Sequence, residues 1–141
     1  MSLCKKFIAL NVLIVVLTFF SCSTTSSEEN HPIFSATAIN VHQSVDSIIH
    51  FETINISGYR TDYGNKSQSE IFVKIVNGEG LPADENKRKT MSKTIAVTVK
   101  HALKNENQYD LYFIFFETKV VNDNATKRKV VGRETFRLDE L

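Results

Sequence analysis

The sequence predicts an α+β fold, in which a largely antiparallel four-stranded sheet is covered by helices in one small domain with the element order α-β-β-α-β-β. The chain has 141 residues, a length typical of a single domain. Two segments place apolar residues at helical spacing, and four short runs rich in β-branched or aromatic residues are bounded by turn residues. Packing such helices on a sheet buries the apolar side of both.

The first predicted helix lies within residues 34–49, where apolar side chains recur from Phe34 through Val41 and Val45 to Ile49. The second covers residues 84–104, which contain no Gly or Pro and carry a lysine stripe beside an apolar stripe. The piece TIAVTV within it also alternates like a strand, but the length of the segment and the lysine stripe favour a helix.

The four predicted strands cover residues 51–57, 70–76, 109–119 and 129–138. We expect the first two to pair antiparallel across the loop between them. The third, YDLYFIFFETK, is apolar on both faces and is therefore predicted to be central in the sheet.

Side chains alternate along a strand, so Tyr112, Ile114 and Phe116 must point away from the face that carries Phe113 and Phe115. With one face of the sheet on helix 84–104, the other needs a second cover or a partner. We predict that Tyr112, Ile114 and Phe116 form this second face, which is covered in part by the N-terminal helix and is otherwise available to a partner.

At the N-terminus, Lys5 and Lys6 precede an apolar run of about fourteen residues, which is short for a membrane span and typical of a signal peptide. The run ends in FFSC, with Cys22 followed by a polar stretch. This segment resembles the lipobox of bacterial lipoproteins, in the relaxed form found in Bacteroidetes, although Phe19 and Phe20 replace the more usual Leu and small residue. Two alternatives remain: an ordinary signal peptidase site that removes Cys22, and an uncleaved anchor.

The resemblance implies cleavage before Cys22, lipid attachment to its thiol, and anchoring in the cell envelope. The expected location is the outer membrane, on its periplasmic face or at the cell surface. We accordingly divide the chain into a signal peptide (residues 1–21), a lipidated Cys22 with a flexible tether (residues 22–32), and one α+β domain (residues 33–141).

Charge and cysteine usage restrict the possible functions. Of 17 basic residues, Lys5 and Lys6 lie in the signal, which leaves 15 against 16 acidic ones and argues against a nucleic-acid partner. Cys4 and Cys22 are the only cysteines, so residues 23–141 can contain neither a disulfide nor a thiolate metal site.

No motif predicts catalysis, a cofactor or a metal site. The four histidines lack the spacing of metal-binding pairs. A Glu117–Glu134 pair across two strands could do acid–base work, but salt bridges from these carboxylates to Arg133, Arg137 or Lys119 are the expected arrangement. The basic clusters 87–89 and 127–129 are expected to be solvated, with contact to lipid phosphates as the alternative.

The sequence therefore predicts a non-enzymatic binding or accessory module that is attached to the membrane through Cys22 and binds an unknown protein or envelope component. Two alternatives are an enzyme that acts on envelope polymers and an inhibitor or immunity-type protein. In the latter, an exposed loop within residues 58–65 or 77–85 would reach the target.

Overall fold

The computed structural model describes residues 25–35, 38–122 and 125–141. Its strands and helices, in chain order, are β1 (Thr25–Glu29), α1 (Ala38–Asp46), β2 (Thr53–Tyr63), β3 (Lys66–Val76), α2 (Glu85–Ala102), β4 (Leu111–Asn122) and β5 (Ala125–Arg137). Two short 3-10 turns, Glu106–Gln108 and Leu138–Glu140, follow α2 and β5.

The strands form one five-stranded mixed sheet in the order β1-β2-β3-β4-β5. Strands β3 and β4 are parallel, and the other neighbouring pairs are antiparallel. The prediction of a four-stranded, largely antiparallel sheet with the order α-β-β-α-β-β is therefore wrong. Because α2 carries the chain from the end of β3 back to the start of β4, the two strands point the same way, as in other strand–helix–strand crossovers.

The additional strand is β1, which lies within the segment predicted as a tether. Its five residues, TSSEE, pair with the outer edge of β2 from Thr25–Tyr63 to Glu29–Tyr59. A strand at the edge of a sheet gains its stability from backbone hydrogen bonds to its neighbour. Strand β1 therefore needs no apolar side chains, and its polar sequence shows no alternation that would predict a strand.

Gly58 allows the end of β1 to lie against β2. The Asn30 N–H donates to the Gly58 carbonyl at 2.9 Å, and the Tyr109 hydroxyl donates to the Asn30 carbonyl at 3.1 Å. A Cβ atom on residue 58 would come within 2.1 Å of that Asn30 oxygen. A residue without a side chain is thus required where these two backbones meet.

Both helices pack on the same face of the sheet. Helix α1 contributes Val41 and Val45 to the core, and α2 contributes Ile95, Ala96 and Val99. The N-terminus of α2 is capped by Asp84, whose Oδ1 accepts from the Lys87 N–H at 2.8 Å. The segment TIAVTV is confirmed as helical, because its apolar side meets the sheet in a 3.6-residue period.

Within the described residues, no helix is long and apolar enough to cross a membrane.

Candidate functional site

The face of the sheet turned away from α1 and α2, here called the open face, carries a connected group of four aromatic residues: Tyr59, Phe72, Phe113 and Phe115. The parallel register of β3 and β4 sets Phe72 opposite Phe113, and their rings stack with centroids 4.9 Å apart. Phe115 stacks on Phe72 at 6.0 Å, and Tyr59 meets the edge of Phe72 at 5.5 Å. We call these four residues the aromatic cluster.

Arg133 lies over the aromatic cluster from β5. Its guanidinium carbon is 5.1 Å from the centre of the Phe113 ring and 5.4 Å from that of Phe115. The pairing of Arg133 with Phe115 across β4 and β5 produces this contact. A cation over an aromatic face is stabilised by roughly 0.5–1 kcal/mol at an exposed site, so the arginine is held in place while still facing solvent.

The cluster is only partly shielded. Phe113 is 8% exposed and Tyr59 is 38% exposed, while Phe72 and Phe115 are half-buried. Among the described residues, both helices lie on the opposite face. The open face therefore presents a rigid layer of stacked rings, bordered by charged side chains, to the surroundings.

The residues predicted to face a partner, Tyr112, Ile114 and Phe116, lie on the other face. They are 0%, 0% and 1% exposed and belong to the core beneath the two helices. The alternation along β4 is as predicted, but the assignment of its two faces is reversed. Both faces of this strand are apolar in the sequence, and the sequence pattern does not reveal that α1 joins α2 on one side.

Glu117 and Glu134 do not form an acid–base pair. Glu117 is paired with Val130 and Glu134 with Ile114, which places the two carboxylates on opposite faces of the sheet. Each lies near a different cation: Glu117 Oε2 is 3.9 Å from Arg128 Nη1, and Glu134 Oε1 is 3.5 Å from Arg88 Nε. The expectation of ion pairs to basic residues is met, although the partners are not the ones predicted.

A polar cluster borders the open face where β3 ends. The Lys119 ammonium is 2.7 Å from Glu52 Oε1, and the Lys119 N–H donates to Asn77 Oδ1 at 2.8 Å. The hydrogen bond from Lys119, followed by that from Asn77, lowers the pKa of Glu52 below its usual value. These contacts hold the turn after β3 against β4.

The four histidines are exposed, and His50 and His31 each lie beside one carboxylate, of Asp46 and Glu29 respectively. In residues 25–35, 38–122 and 125–141, no group of three His, Cys, Asp or Glu side chains is placed to hold a metal ion. Cys22 and the predicted signal segment lie outside the residues that the structure describes.

The sequence indicated neither Phe72 nor Arg133 as a functional residue. The alternation of EIFVKIV does place Phe72 and Lys74 on one face of β3. Phe72 meets Phe113 and Phe115 only through the parallel register of β3 with β4. Arg133 meets them only through the bulged pairing of β4 with β5. Neither feature was predicted.

Comparison with known proteins adds little to this description. No protein-family profile matches the chain. No curated protein sequence matches it significantly. Among solved structures, that of the sex pheromone staph-cAM373 precursor superposes with a TM-score of 0.46 at 10% sequence identity, and the match covers 89% of this chain and 44% of that one. The chain thus spans less than half of that protein's length, and a similarity at this level assigns neither a family nor a function.

Proposed function

We propose that the protein is a non-enzymatic binding module, held at the bacterial envelope by lipid on Cys22, whose open face binds a partner protein. The observation that carries the binding proposal is the aromatic cluster beneath Arg133. Tyr, Phe and Arg are enriched in protein interfaces, and the residues that dominate binding energy include Tyr and Arg in particular.

The side chains of the cluster also pack against one another, which suits them to this role. The ring of Phe72 packs against both Phe113 and Phe115, whose centroids are 6.3 Å apart, and Arg133 is held over the latter two. Side chains that already occupy their bound arrangement lose little conformational entropy when a partner docks. A partner that covers these rings also removes apolar surface from water, at about 25 cal/mol per Å².

The anchor proposal is supported by the lipobox-like FFSC sequence. A lipoprotein of this kind carries two or three acyl chains, and more than one chain is needed for stable attachment to a bilayer. The proposed location is the outer membrane, on either side of it.

The anchor is tested by exchanging each cysteine in turn. Cys22→Ala should abolish incorporation of labelled palmitate and remove the protein from the detergent phase. Cys4→Ala is the matched control and should leave both unchanged, because Cys4 lies in the segment that is removed. Palmitate on the Cys22→Ala protein would refute the lipid assignment.

The binding face is tested by affinity capture from intact envelopes, with the proteins that come with each variant compared quantitatively. Tyr59→Ala removes the most exposed ring of the aromatic cluster, and Arg133→Gln removes the cation over it. Each should reduce recovery of the partner at least about tenfold, as expected for hot-spot residues. Ile39→Ala removes an exposed apolar side chain on the helical side and should have no effect. Equal recovery with all three variants, at unchanged melting temperature, would show that the open face is not the binding site.

A further inference from the structure

Strand β5 is an outer edge of the sheet. It is 13 residues long and, in the described part of the chain, has β4 as its one neighbour. Alternate backbone N–H and C=O groups of such a strand point outward, and an extended peptide can add to them as a further strand. The opposite edge, β1, has five residues in the part of the chain that the structure describes.

A bulge in the pairing of β4 with β5 changes which side chains share a face. Phe116 pairs with Gly132, whereas the next residue, Glu117, pairs with Val130, so that Val131 has no partner in the register. An extra residue of this kind shifts the alternation along the strand by one position. Arg128 and Arg133 are five residues apart, and without the bulge they would point to opposite faces.

With the bulge, three arginines of β5 lie in a row on the open face: Arg128 opposite Lys119, Arg133 opposite Phe115, and Arg137 opposite Leu111. We call them the arginine row. Arg128 and Arg137 have side chains that are 58% and 74% exposed. Their contacts to Glu117 and Asp139 measure 3.9 Å and 3.5 Å, and exposed ion pairs of this kind contribute little to stability.

We propose that β5 binds an extended acidic segment of a partner protein, which adds to the sheet as a sixth strand and places carboxylates over the arginine row. This inference rests on the proposed function and names the chemistry of the partner that meets the open face. Residues of neighbouring strands that share a face lie close enough to interact, and opposite charges there are stabilising. The planar guanidinium can also bind a carboxylate through two parallel hydrogen bonds.

The direction and spacing of the row favour a strand over other acidic ligands. In an extended chain, four residues cover about 13 Å, so Arg133 and Arg137 match acidic residues four positions apart. The lysines next to Arg128, Lys127 and Lys129, pair with Val120 and Thr118 and so point to the other face. A lipid surface would use all these cations alike, whereas an added strand with acidic residues on one face uses only the arginines. Like charges facing each other also disfavour pairing of β5 with a second β5.

The test uses the full chain purified in detergent and a nine-residue probe peptide with Glu at alternate positions and Thr or Val between them. We expect saturable binding and slower hydrogen exchange at the outward amides of β5. Arg128→Gln combined with Arg137→Gln should weaken binding at least about tenfold, since two charge-assisted contacts are lost. Lys127→Gln combined with Lys129→Gln removes the same charge from the other face and should change binding less than about twofold.

The proposal would be overturned by equal weakening by the arginine and lysine pairs, by unchanged exchange at the β5 amides, or by binding of anionic lipid vesicles in preference to the peptide. Association of the protein with itself at β5, seen as a larger mass in light scattering, would also contradict it. These outcomes are separate from those of the proposed function. Loss of partner capture in Tyr59→Ala without peptide binding at β5 would leave the open face as the site and refute only the added strand.

Discussion

Tyr112 illustrates how a single residue is adapted to the core. Its side chain is fully buried, and its hydroxyl is 3.5 Å from the Glu106 carbonyl oxygen, at the limit of a hydrogen bond. Burial, with smaller contributions from Glu106 and Tyr109, raises the pKa of Tyr112 to about 12. The phenol is therefore neutral in the folded protein below about pH 12, because burial disfavours the charged phenolate.

This raised pKa makes the fold sensitive to alkali. Below pH 10 the phenol is protonated in both the folded and the unfolded chain, so it contributes no pH dependence. Between pH 10 and about 12 it ionises only in the unfolded chain, which costs the folded state up to about 1.4 kcal/mol per pH unit. Urea unfolding at pH 8 and pH 11 should show a smaller loss of stability for Tyr112→Phe than for the wild type. Identical losses would mean that the phenol ionises normally in the fold.

The two faces of strand β4 have different surroundings. Tyr112, Ile114 and Phe116 meet the helices, whereas Phe113 and Phe115 lie in the aromatic cluster. Both sets are apolar, which fits the proposal that a partner covers the open face.

The energetic difference between the two faces is measurable. Ile114→Ala should lower the free energy of unfolding by about 2–5 kcal/mol, the usual range for a fully buried isoleucine. Phe115→Ala removes a larger side chain but should cost less, about 0.5–2 kcal/mol, because that ring is already in contact with solvent. Urea denaturation of the two variants provides the comparison. A larger loss for Phe115→Ala than for Ile114→Ala would mean that the open face is covered over Phe115.

The local elements could be predicted from the sequence better than their arrangement. Helix α2 is predicted by the stripe that contains Ile95 and Val99, because a helix displays its pattern within its own residues. The edge strand β1 has no such pattern, since what holds it is the backbone of β2. The candidate binding site likewise depends on contacts between residues that are far apart in the sequence. Phe72 meets Phe113 through a parallel register, and Arg128 joins Arg133 through a bulge.

At the scale of the whole molecule, all helices of the described chain lie on one side of the sheet, so its two sides have different roles. The helical side holds the core. The open face and the β5 edge are the surfaces that we propose for binding, and these two surfaces meet at Arg133. A partner strand on β5 would extend the open face rather than compete with it.

The pairing of Thr25 with Tyr63 has a further consequence, for the orientation of the domain on a bilayer. Thr25 is three positions beyond Cys22, and three residues reach about 10 Å at most. If Cys22 carries lipid, the turn between β2 and β3 must therefore sit at the level of the headgroups. Strand β3 leads away from that turn for 11 residues, or about 35 Å, and β4 continues in the same direction. We therefore expect the domain to stand upright, with the hairpin of β4 and β5 as its outermost part.

The chain contains no Trp, so a single introduced Trp can report this orientation. Asn65→Trp places the indole in the turn between β2 and β3, and Glu79→Trp places it beyond the far end of β3. In vesicles that contain brominated lipids, the fluorescence of Asn65→Trp should be quenched and that of Glu79→Trp should be unaffected. Equal quenching at both positions would mean that the domain lies flat on the bilayer. An upright domain would leave the arginine row running from the headgroups outward, so that an acidic strand bound to it would be drawn perpendicular to the membrane.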